Sequence, residues 1–359
     1  MNAENSALMM PLIEIQGLSK TFAGRSGLLD RFARRAPHML YALDDINLTI
    51  YRGEILGLVG ESGSGKTTLG RCLLRLVEPS TGKILYASED VVRMSPSQMQ
   101  TARRKMQMIF QDPYSSLNPR MTIHDTLAEV LAVHHIVPVA EVHGRVRELL
   151  RMVGLPADAG VRYPRHFSGG QRQRIGIARA IAMGPEFIVA DEPVSAVDVS
   201  IQAQVLRLIL DLKARLGLTV LFISHDLSVV QYLSNRVAVM YLGKLVEVAP
   251  SRAIYARPLH PYTLGLLLSA PQPDPKKRTH NVAVEGEPPS PHNPPPGCHF
   301  HTRCFLATEL CKRQEPKFQD VGGGHFVACH YYEKMAARPP FVRELALDLP
   351  NVESQPVTL

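Results

Sequence analysis

The segment Gly60-Glu-Ser-Gly-Ser-Gly-Lys-Thr67 directly follows the apolar run Ile55-Leu-Gly-Leu-Val59. The apolar run predicts a buried strand, and the glycines after it let successive backbone N–H groups point toward one anion. A helix is expected over 66–76, which sets its positive dipole end beside the same anion. Lys66 would supply a mobile charge to phosphates, and Thr67 a hydroxyl to Mg²⁺. We therefore interpret the segment as a nucleoside triphosphate site rather than a glycine-rich turn that matches by chance.

A second strand is expected to end at the same site. Glu186-Phe-Ile-Val-Ala190 is an apolar run of strand length, and the carboxylates Asp191 and Glu192 follow it. Parallel strands present functional groups at their carboxyl ends, so both side chains are expected to face the phosphates. We assign Asp191 to Mg²⁺, directly or through water, and Glu192 to the water that attacks the γ-phosphate.

The sequence between these two motifs indicates the class of NTPase. Phe167-Ser-Gly-Gly-Gln171 resembles the signature of the ATP-binding cassette (ABC) ATPases, which stands between the phosphate loop and the carboxylate strand, as it does here. The match covers residues 12–250. The further positions that follow this family's order are Gln111 after 106–110, Ser195-Ala-Val-Asp198, and His225 after 219–224.

The resemblance implies an α/β P-loop NTPase of the ABC cassette type, with a parallel-sheet core, an antiparallel β subdomain and a helical arm. Alternating residues over 12–58 predict the antiparallel sheet, and helical spacing over 126–136 and 141–153 predicts the arm. Core strands are expected at 186–190, 219–223 and 236–241, with helices at 201–216 and 226–234. The expected divisions are a tail (1–11), the nucleotide-binding domain (12–250) with its arm (112–184), a C-terminal domain (251–337) and a second tail (338–359).

The signature also has a physical interpretation. Ser168, Gly169 and Gly170 precede a helix expected over 171–183, which makes a second anion-binding helix end. In the resembled family this end caps the γ-phosphate that the opposite subunit holds. The resemblance therefore implies a dimer with a second ABC ATPase subunit, a different chain being favoured over a second copy.

The resemblance assigns further roles. His225 would contact the γ-phosphate and orient the attacking water, Gln111 would coordinate Mg²⁺ or water, and Phe22 is favoured over Tyr41 as the aromatic that stacks on adenine. The residues assigned to ATP are Phe22, Gly60, Glu61, Ser62, Gly63, Ser64, Gly65, Lys66, Thr67, Thr68, Ser168, Gly169, Gly170, Gln171, Asp191 and Asp198. Those assigned to Mg²⁺ are Thr67, Gln111 and Asp191, and those assigned to catalysis are Glu192, His225 and Gln111.

Composition agrees with a globular enzyme of 359 residues, with 45% apolar residues and a net charge of +7. No apolar run reaches the ~18 residues that a membrane helix needs, and the N-terminus has no signal-peptide pattern. The basic residues are dispersed and lack a nucleic-acid motif, so nucleic acid is not expected as a partner. A soluble ABC ATPase that acts on nucleic acid is kept as the alternative class.

The region after residue 250 contains prolines and four of the five cysteines: Cys298, Cys304, Cys311 and Cys329. In a reducing compartment, clustered cysteines favour a metal over disulfides. Zinc ribbons normally carry paired Cys-x-x-Cys motifs, which are absent here. Nearby histidines could also bind zinc, so zinc stays an alternative. Because these cysteines lie far along the chain from Lys66 and Glu192, we expect them to do no redox work in hydrolysis.

This region and the triplet His260-Pro-Tyr262 resemble the C-terminal extension of ATPases from peptide and nickel importers. The segment 111–120 is similar to that branch's Q-loop. The resemblance implies a structural four-iron four-sulfur cluster on the four cysteines, favoured over zinc, with an unmetallated cluster third. It also implies two transmembrane permease subunits, a solute-binding protein outside the membrane, and a peripheral position at the cytoplasmic face of the inner membrane. Dipeptides or oligopeptides are the expected substrates, with nickel or another small solute as the alternative.

Overall fold

The computed structural model describes residues 10–23, 39–112, 117–195, 197–269 and 286–338, without the side chains of residues 199 and 200. Most of the two tails, the proline-rich segment 271–275 and Q-loop residues 113–116 lie outside the described residues. No helix within the described ranges is long and apolar enough to cross a membrane.

An eight-stranded sheet forms the centre of the molecule. From one edge to the other its strands are β11 (Gln319–Asp320), β12 (Phe326–Val327), β10 (Lys244–Pro250), β9 (Arg236–Tyr241), β3 (Ile55–Val59), β8 (Thr219–Ile223), β7 (Phe187–Asp191) and β6 (Met106–Ile109). The strands from β9 to β6 are parallel, whereas β10 pairs with β9 and β12 in antiparallel fashion. Every residue of β3, β7 and β8 is buried, because both faces of the sheet are covered. The three predicted core strands are confirmed.

A smaller antiparallel sheet packs beside this core in the order β2-β1-β4-β5. Its strands are β1 (Pro11–Ala23), β2 (Met39–Tyr51), β4 (Thr81–Tyr86) and β5 (Glu89–Asp90). The antiparallel subdomain is confirmed. The expected range of 12–58 was wrong at its end, since β3 belongs to the parallel sheet, and it missed β4 and β5.

The helices lie between and around the strands. They are α1 (Lys66–Leu73), α2 (Pro96–Lys105), α3 (Ile123–Val133), α4 (Val142–Met152), α5 (Gly169–Ile181), α6 (Val199–Leu216), α7 (Leu227–Leu233), α8 (Ser251–Ala256), α9 (Pro261–Ser269), α10 (Glu309–Arg313) and α11 (Tyr332–Ala336). Helices α3, α4 and α5 pack together as the predicted helical arm. Thr122 caps α3, so this helix begins three residues before the expected start.

The helix after the phosphate loop is shorter than predicted. It ends at Leu73 rather than at Leu76, because Arg75 adopts a left-handed φ of 48°. The amides of Arg75 and Leu76 return to the carbonyls of Cys72 and Arg71, which is a Schellman ending. Glycine usually occupies this position, so arginine gave no signal in the sequence.

The C-terminal region packs directly against the nucleotide-binding core. Strand β12 pairs with β10, and the Ala328 amide donates to the Val246 carbonyl. The rings of Tyr241, Tyr262 and Phe300 form one aromatic cluster, with centroids 4.7 to 5.3 Å apart. A domain boundary at residue 250 stays a prediction, and the main sheet continues across it.

Candidate nucleotide-binding site

Three strand ends converge at one edge of the parallel sheet. Strand β3 leads into the phosphate loop at Gly60, β7 ends at Asp191, and β8 leads to Ser224 and His225. Parallel pairing of β3 with β8 and of β8 with β7 aligns their carboxyl ends. Ligands of α/β sheets bind at such an edge.

The phosphate loop requires glycine at two positions. Gly60 and Gly65 have φ values of 153° and 105°, which side chains of L residues rarely tolerate. A Cβ atom would lie 2.2 Å from the Met240 carbonyl oxygen at Gly60, and 2.3 Å from that of Ala42 at Gly65. Gly65 is also the N-cap of α1 and offers no side chain to its first amides, which leaves them for an anion.

Lys66 closes the loop on itself. Its Nζ donates to the carbonyl oxygens of Gly60 at 2.7 Å and Glu61 at 2.8 Å, and lies 3.4 Å from Ser64 Oγ. Burial lowers the pKa of Lys66, although the carboxylates of Glu192, Asp191 and Glu61 act in the opposite direction. The Lys66 ammonium therefore lies inside the loop that the sequence predicts to bind phosphates.

Thr67 and Asp191 form the expected pair of oxygen ligands. The Thr67 hydroxyl donates to Asp191 Oδ1 at 2.9 Å, and Asp191 is only 2% exposed. Burial raises the pKa of Asp191, while the Thr67 hydrogen bond and the charges of Arg71 and Lys66 oppose the shift. Hydroxyl and carboxylate oxygens are the ligands that Mg²⁺ prefers, so this pair fits the ion.

Glu192, Gln111 and His225 come together as a second group. Gln111 Nε2 donates to Glu192 Oε2 at 2.9 Å, and His225 Nδ1 lies 3.3 Å from the same oxygen. Glu192 has a left-handed φ of 45°, and its carbonyl accepts hydrogen bonds from the amide and the hydroxyl of Ser195. The structure thus places Gln111 against Glu192 and not against the Thr67–Asp191 pair to which it was also assigned.

The signature lies at the start of α5. Ser168 and Gln171 form a capping box in which each side chain accepts from the other residue's amide. Gly170 lets α5 approach α6, since a Cβ atom there would lie 2.3 Å from Ile201. Asp198 is the N-cap of α6. Within the described chain, the side-chain hydrogen bonds of Ser168 and Gln171 stay inside this helix end.

Phe22 and Tyr41 lie close together on the β1–β2 pair, where Phe22 pairs with Leu40 and Tyr41 with Thr21. Lys20 pairs with Leu43, which packs against Gly65 of the phosphate loop, and the Lys20 ammonium lies 4.7 Å from the centroid of the Phe22 ring. A register shift between Lys20 and Thr21 interrupts the pairing, so the register assigns neither ring to the face that meets the phosphate loop. The choice of Phe22 over Tyr41 as the residue that stacks on adenine stays a prediction.

Two further residues at the loop were missed by the sequence analysis. Arg303 forms a bidentate ion pair with Glu61, with Nη1 to Oε2 at 2.8 Å and Nη2 to Oε1 at 3.0 Å. The Glu61 amide donates to Tyr262 Oη at 2.9 Å. Arg303 is 242 positions from Glu61, and no local pattern signals a contact over that separation.

The four C-terminal cysteines surround one small pocket: Cys298, Cys304, Cys311 and Cys329. The amides of Leu306 and Tyr331 donate to the sulfurs of Cys304 and Cys329, both at 3.4 Å. Burial raises the pKa of Cys298 to about 11 and that of Cys329 to about 12. In the part of the chain that the structure describes, no group of three or more His, Cys, Asp or Glu side chains is arranged to hold a metal ion.

Comparison with known proteins agrees with this geometry. Residues 43–195 match the family model described as ABC transporter, and residues 246–311 match the one described as oligopeptide/dipeptide transporter, C-terminal region. A dimeric ATP-binding cassette in a post-hydrolysis state, bound to ADP and Pi, aligns with a TM-score of 0.59 and 27% identity, over 67% of this chain and 99% of its own.

Curated relatives extend the similarity to nearly the whole chain. A putative peptide import ATP-binding protein of Brucella ovis is 53% identical over 319 residues, which cover 89% of this chain and 97% of the relative. The oligopeptide transport ATP-binding protein AppF of Bacillus subtilis is 48% identical over 326 residues, with the same coverage.

The fold and the site define an ATP-binding cassette of the P-loop type, that is, an ATPase whose hydrolysis is coupled to transport. More specifically, the chain belongs to the family of ABC transporter ATP-binding proteins that carry the oligopeptide/dipeptide transporter C-terminal region.

Replacement of Lys66 by alanine should weaken ATP binding by about tenfold to a hundredfold, because a hydrogen bond to a charged group contributes about 1.5–3 kcal/mol. The measurement is a titration of ATP by calorimetry. Lys83→Ala, an exposed lysine on β4, is the matched control. Equal ATP affinity in Lys66→Ala and the control would contradict the assignment of the phosphate loop.

Proposed function

We propose that this chain hydrolyses ATP to power the import of dipeptides or oligopeptides, as one of two ATPase subunits bound to two transmembrane permease subunits at the cytoplasmic face of the membrane. The similarity to relatives named as peptide and oligopeptide transport proteins carries this proposal. A solute-binding protein would deliver the substrate from outside. These relatives favour transport over action on nucleic acid.

Glu192 is the proposed general base. Its carboxylate would accept a proton from the attacking water while that water's oxygen bonds to the γ-phosphorus and the bond to the bridging oxygen breaks. Gln111 and His225 both contact Glu192 Oε2, which supports a role in orienting the carboxylate and the water. Mg²⁺, when held by Thr67 and Asp191, would neutralise charge on the β- and γ-phosphate oxygens.

The remaining ATP contacts follow the cassette arrangement. The loop from Gly60 to Thr68 would hold the phosphates, and Phe22 would stack on adenine, as its place in the cassette sequence suggests. The end of α5 at Ser168 to Gln171 would act on the nucleotide of the opposite subunit, together with Asp198. The dimeric cassette among the solved structures supports this arrangement.

We further propose that the four cysteines hold a four-iron four-sulfur cluster with a structural role. They surround one pocket, and backbone amides donate to two of the sulfurs, which suits metal-bound thiolates. Burial raises the pKa of Cys298 and Cys329, so a bound cation would be needed to stabilise these two groups as thiolates. Zinc is the competing occupant.

Replacement of Glu192 by glutamine tests the hydrolytic role. Turnover should fall by about a hundredfold or more while ATP binding is retained, because only the proton acceptor is lost. The readouts are phosphate release and ATP affinity. Glu186→Gln, at the amino end of the same strand, is the control and should hydrolyse ATP normally. Unchanged turnover in Glu192→Gln would show that another group is the base.

Replacement of Ser168 by arginine tests the action on the opposite subunit. In the assembled transporter, nucleotide trapping should be lost at the partner's phosphate loop and kept at this chain's own loop. Photolabelling with azido-ATP, followed by separation of the two ATPase subunits, distinguishes the two sites. Ser95→Arg removes an equivalent capping serine from α2, so it controls for the ~1 kcal/mol cost of a lost cap. Loss confined to this chain's own loop would contradict the composite site.

Metal analysis tests the cluster. Protein purified without oxygen should be brown and contain iron and acid-labile sulfide, and Cys329→Ser should lose both. Cys72→Ser, which alters the buried cysteine of α1, should retain them. Stoichiometric zinc without sulfide in the wild-type protein would contradict the cluster.

A further inference from the structure

The phosphate loop is held from outside the cassette motifs by Arg303. This side chain is only 6% exposed, and both of its terminal nitrogens bond the Glu61 carboxylate. Arg303 Nη1 also lies 3.5 Å from Tyr241 Oη. A bidentate pair of arginine and carboxylate in a buried setting fixes distance and orientation together, which an exposed pair does not.

Tyr262 holds the backbone of the same loop residue. Its hydroxyl accepts the Glu61 amide, and its ring is fully buried between Tyr241 and Phe300. The Lys66 ammonium donates to the Glu61 carbonyl at 2.8 Å. The backbone and the side chain of Glu61 are thus anchored by residues that follow the parallel core in the chain.

The Glu61 carboxylate lies within a loop that must accept a polyanion. An unneutralised carboxylate there would repel the phosphates, and in a partly screened site this repulsion corresponds in total to roughly a tenfold loss of affinity for ATP. Arg303 supplies the compensating positive charge. Its effect on ATP should therefore be electrostatic as well as geometric.

Arg303 is also joined to the cysteine pocket. It ends the 3₁₀ turn His301–Arg303, immediately before Cys304. The His301 amide donates to the Cys298 carbonyl and the Cys304 amide to the His301 carbonyl, so the turn is fixed at both ends by cysteines. A rearrangement of the pocket would shift the guanidinium that holds Glu61.

We propose that Arg303 and Tyr262 are positioning residues for the phosphate loop, through which the C-terminal cysteine-containing region sets the affinity of the site for nucleotide phosphates. This inference rests on the proposed ATPase function. It adds that the nucleotide affinity of the same site depends on the C-terminal region. The expectation that the cysteines do no redox work in hydrolysis is unaffected, because the proposed influence is on nucleotide affinity.

The test compares Arg303→Gln, Glu61→Gln and the double variant in the full-length protein. Arg303→Gln should weaken ATP binding by about tenfold, ADP binding by less and AMP binding least, because the uncompensated Glu61 charge acts on phosphates. The double variant should regain most of this affinity, since it removes that charge. Calorimetric titration with ATP, ADP and AMP gives the three affinities, and KM for ATP should rise with little change in kcat.

Arg313→Gln is the matched control, since Arg313 is an exposed arginine of the same region. Tyr262→Phe gives a second, independent variant, which should weaken ATP binding severalfold without rescue by Glu61→Gln.

Two outcomes would overturn the proposal. One is an ATP affinity equal to that of the wild-type protein in both Arg303→Gln and Tyr262→Phe. The other is an equal loss of ATP affinity in Arg303→Gln and in the double variant, which is the result expected of a purely structural role. Failure of the wild-type protein to bind ATP would instead contradict the proposed function.

Discussion

The parallel pairing of β3, β8 and β7 is the constraint on which the site depends. Leu58 pairs with Ile223, and Ile223 pairs with Asp191, so the three strands end level with one another. Their interiors are wholly buried and leave no room for a polar group. Charged and hydroxyl groups can therefore enter only where the strands end. The same burial that stabilises the sheet brings the phosphate loop, Asp191 and His225 to one edge.

Backbone strain at this edge is concentrated in Glu192. Its φ of 45° is uncommon for a residue with a side chain and costs on the order of 1 kcal/mol or more. Three hydrogen bonds offset this cost: the Glu192 amide donates to the Ile223 carbonyl, and its carbonyl accepts twice from Ser195. The result is a carboxylate held against Gln111 and His225. Strain that surrounding contacts sustain is typical of a functional residue.

Sequence reasoning succeeded where the signal was local and failed where it was not. The core strands were predictable, because a buried parallel strand must be a short apolar run bounded by turns. The end of α1 was missed because Arg75 takes a conformation usually left to glycine. Strand β5, with only Glu89 and Asp90, is too short and polar to predict. The contact of Arg303 with Glu61 depends on the complete fold, so no pattern along the chain could reveal it.

The contact between Arg303 and Glu61 depends on the packing of the C-terminal region against the main sheet. Glu247 on β10 is fully buried, and its carboxylate accepts from the amides of Leu259 and His260 and lies 2.7 Å from His325 Nε2. Loss of one partner of such a buried carboxylate is costly, because the charge then remains without compensation. The carboxylate thus ties β10 to the segment before α9 and to His325, which lies between Cys311 and Cys329 in the chain. Because this region is fixed against the sheet, Arg303 keeps its position beside the phosphate loop, and a displacement at the cysteine pocket would act on Glu61 through Arg303.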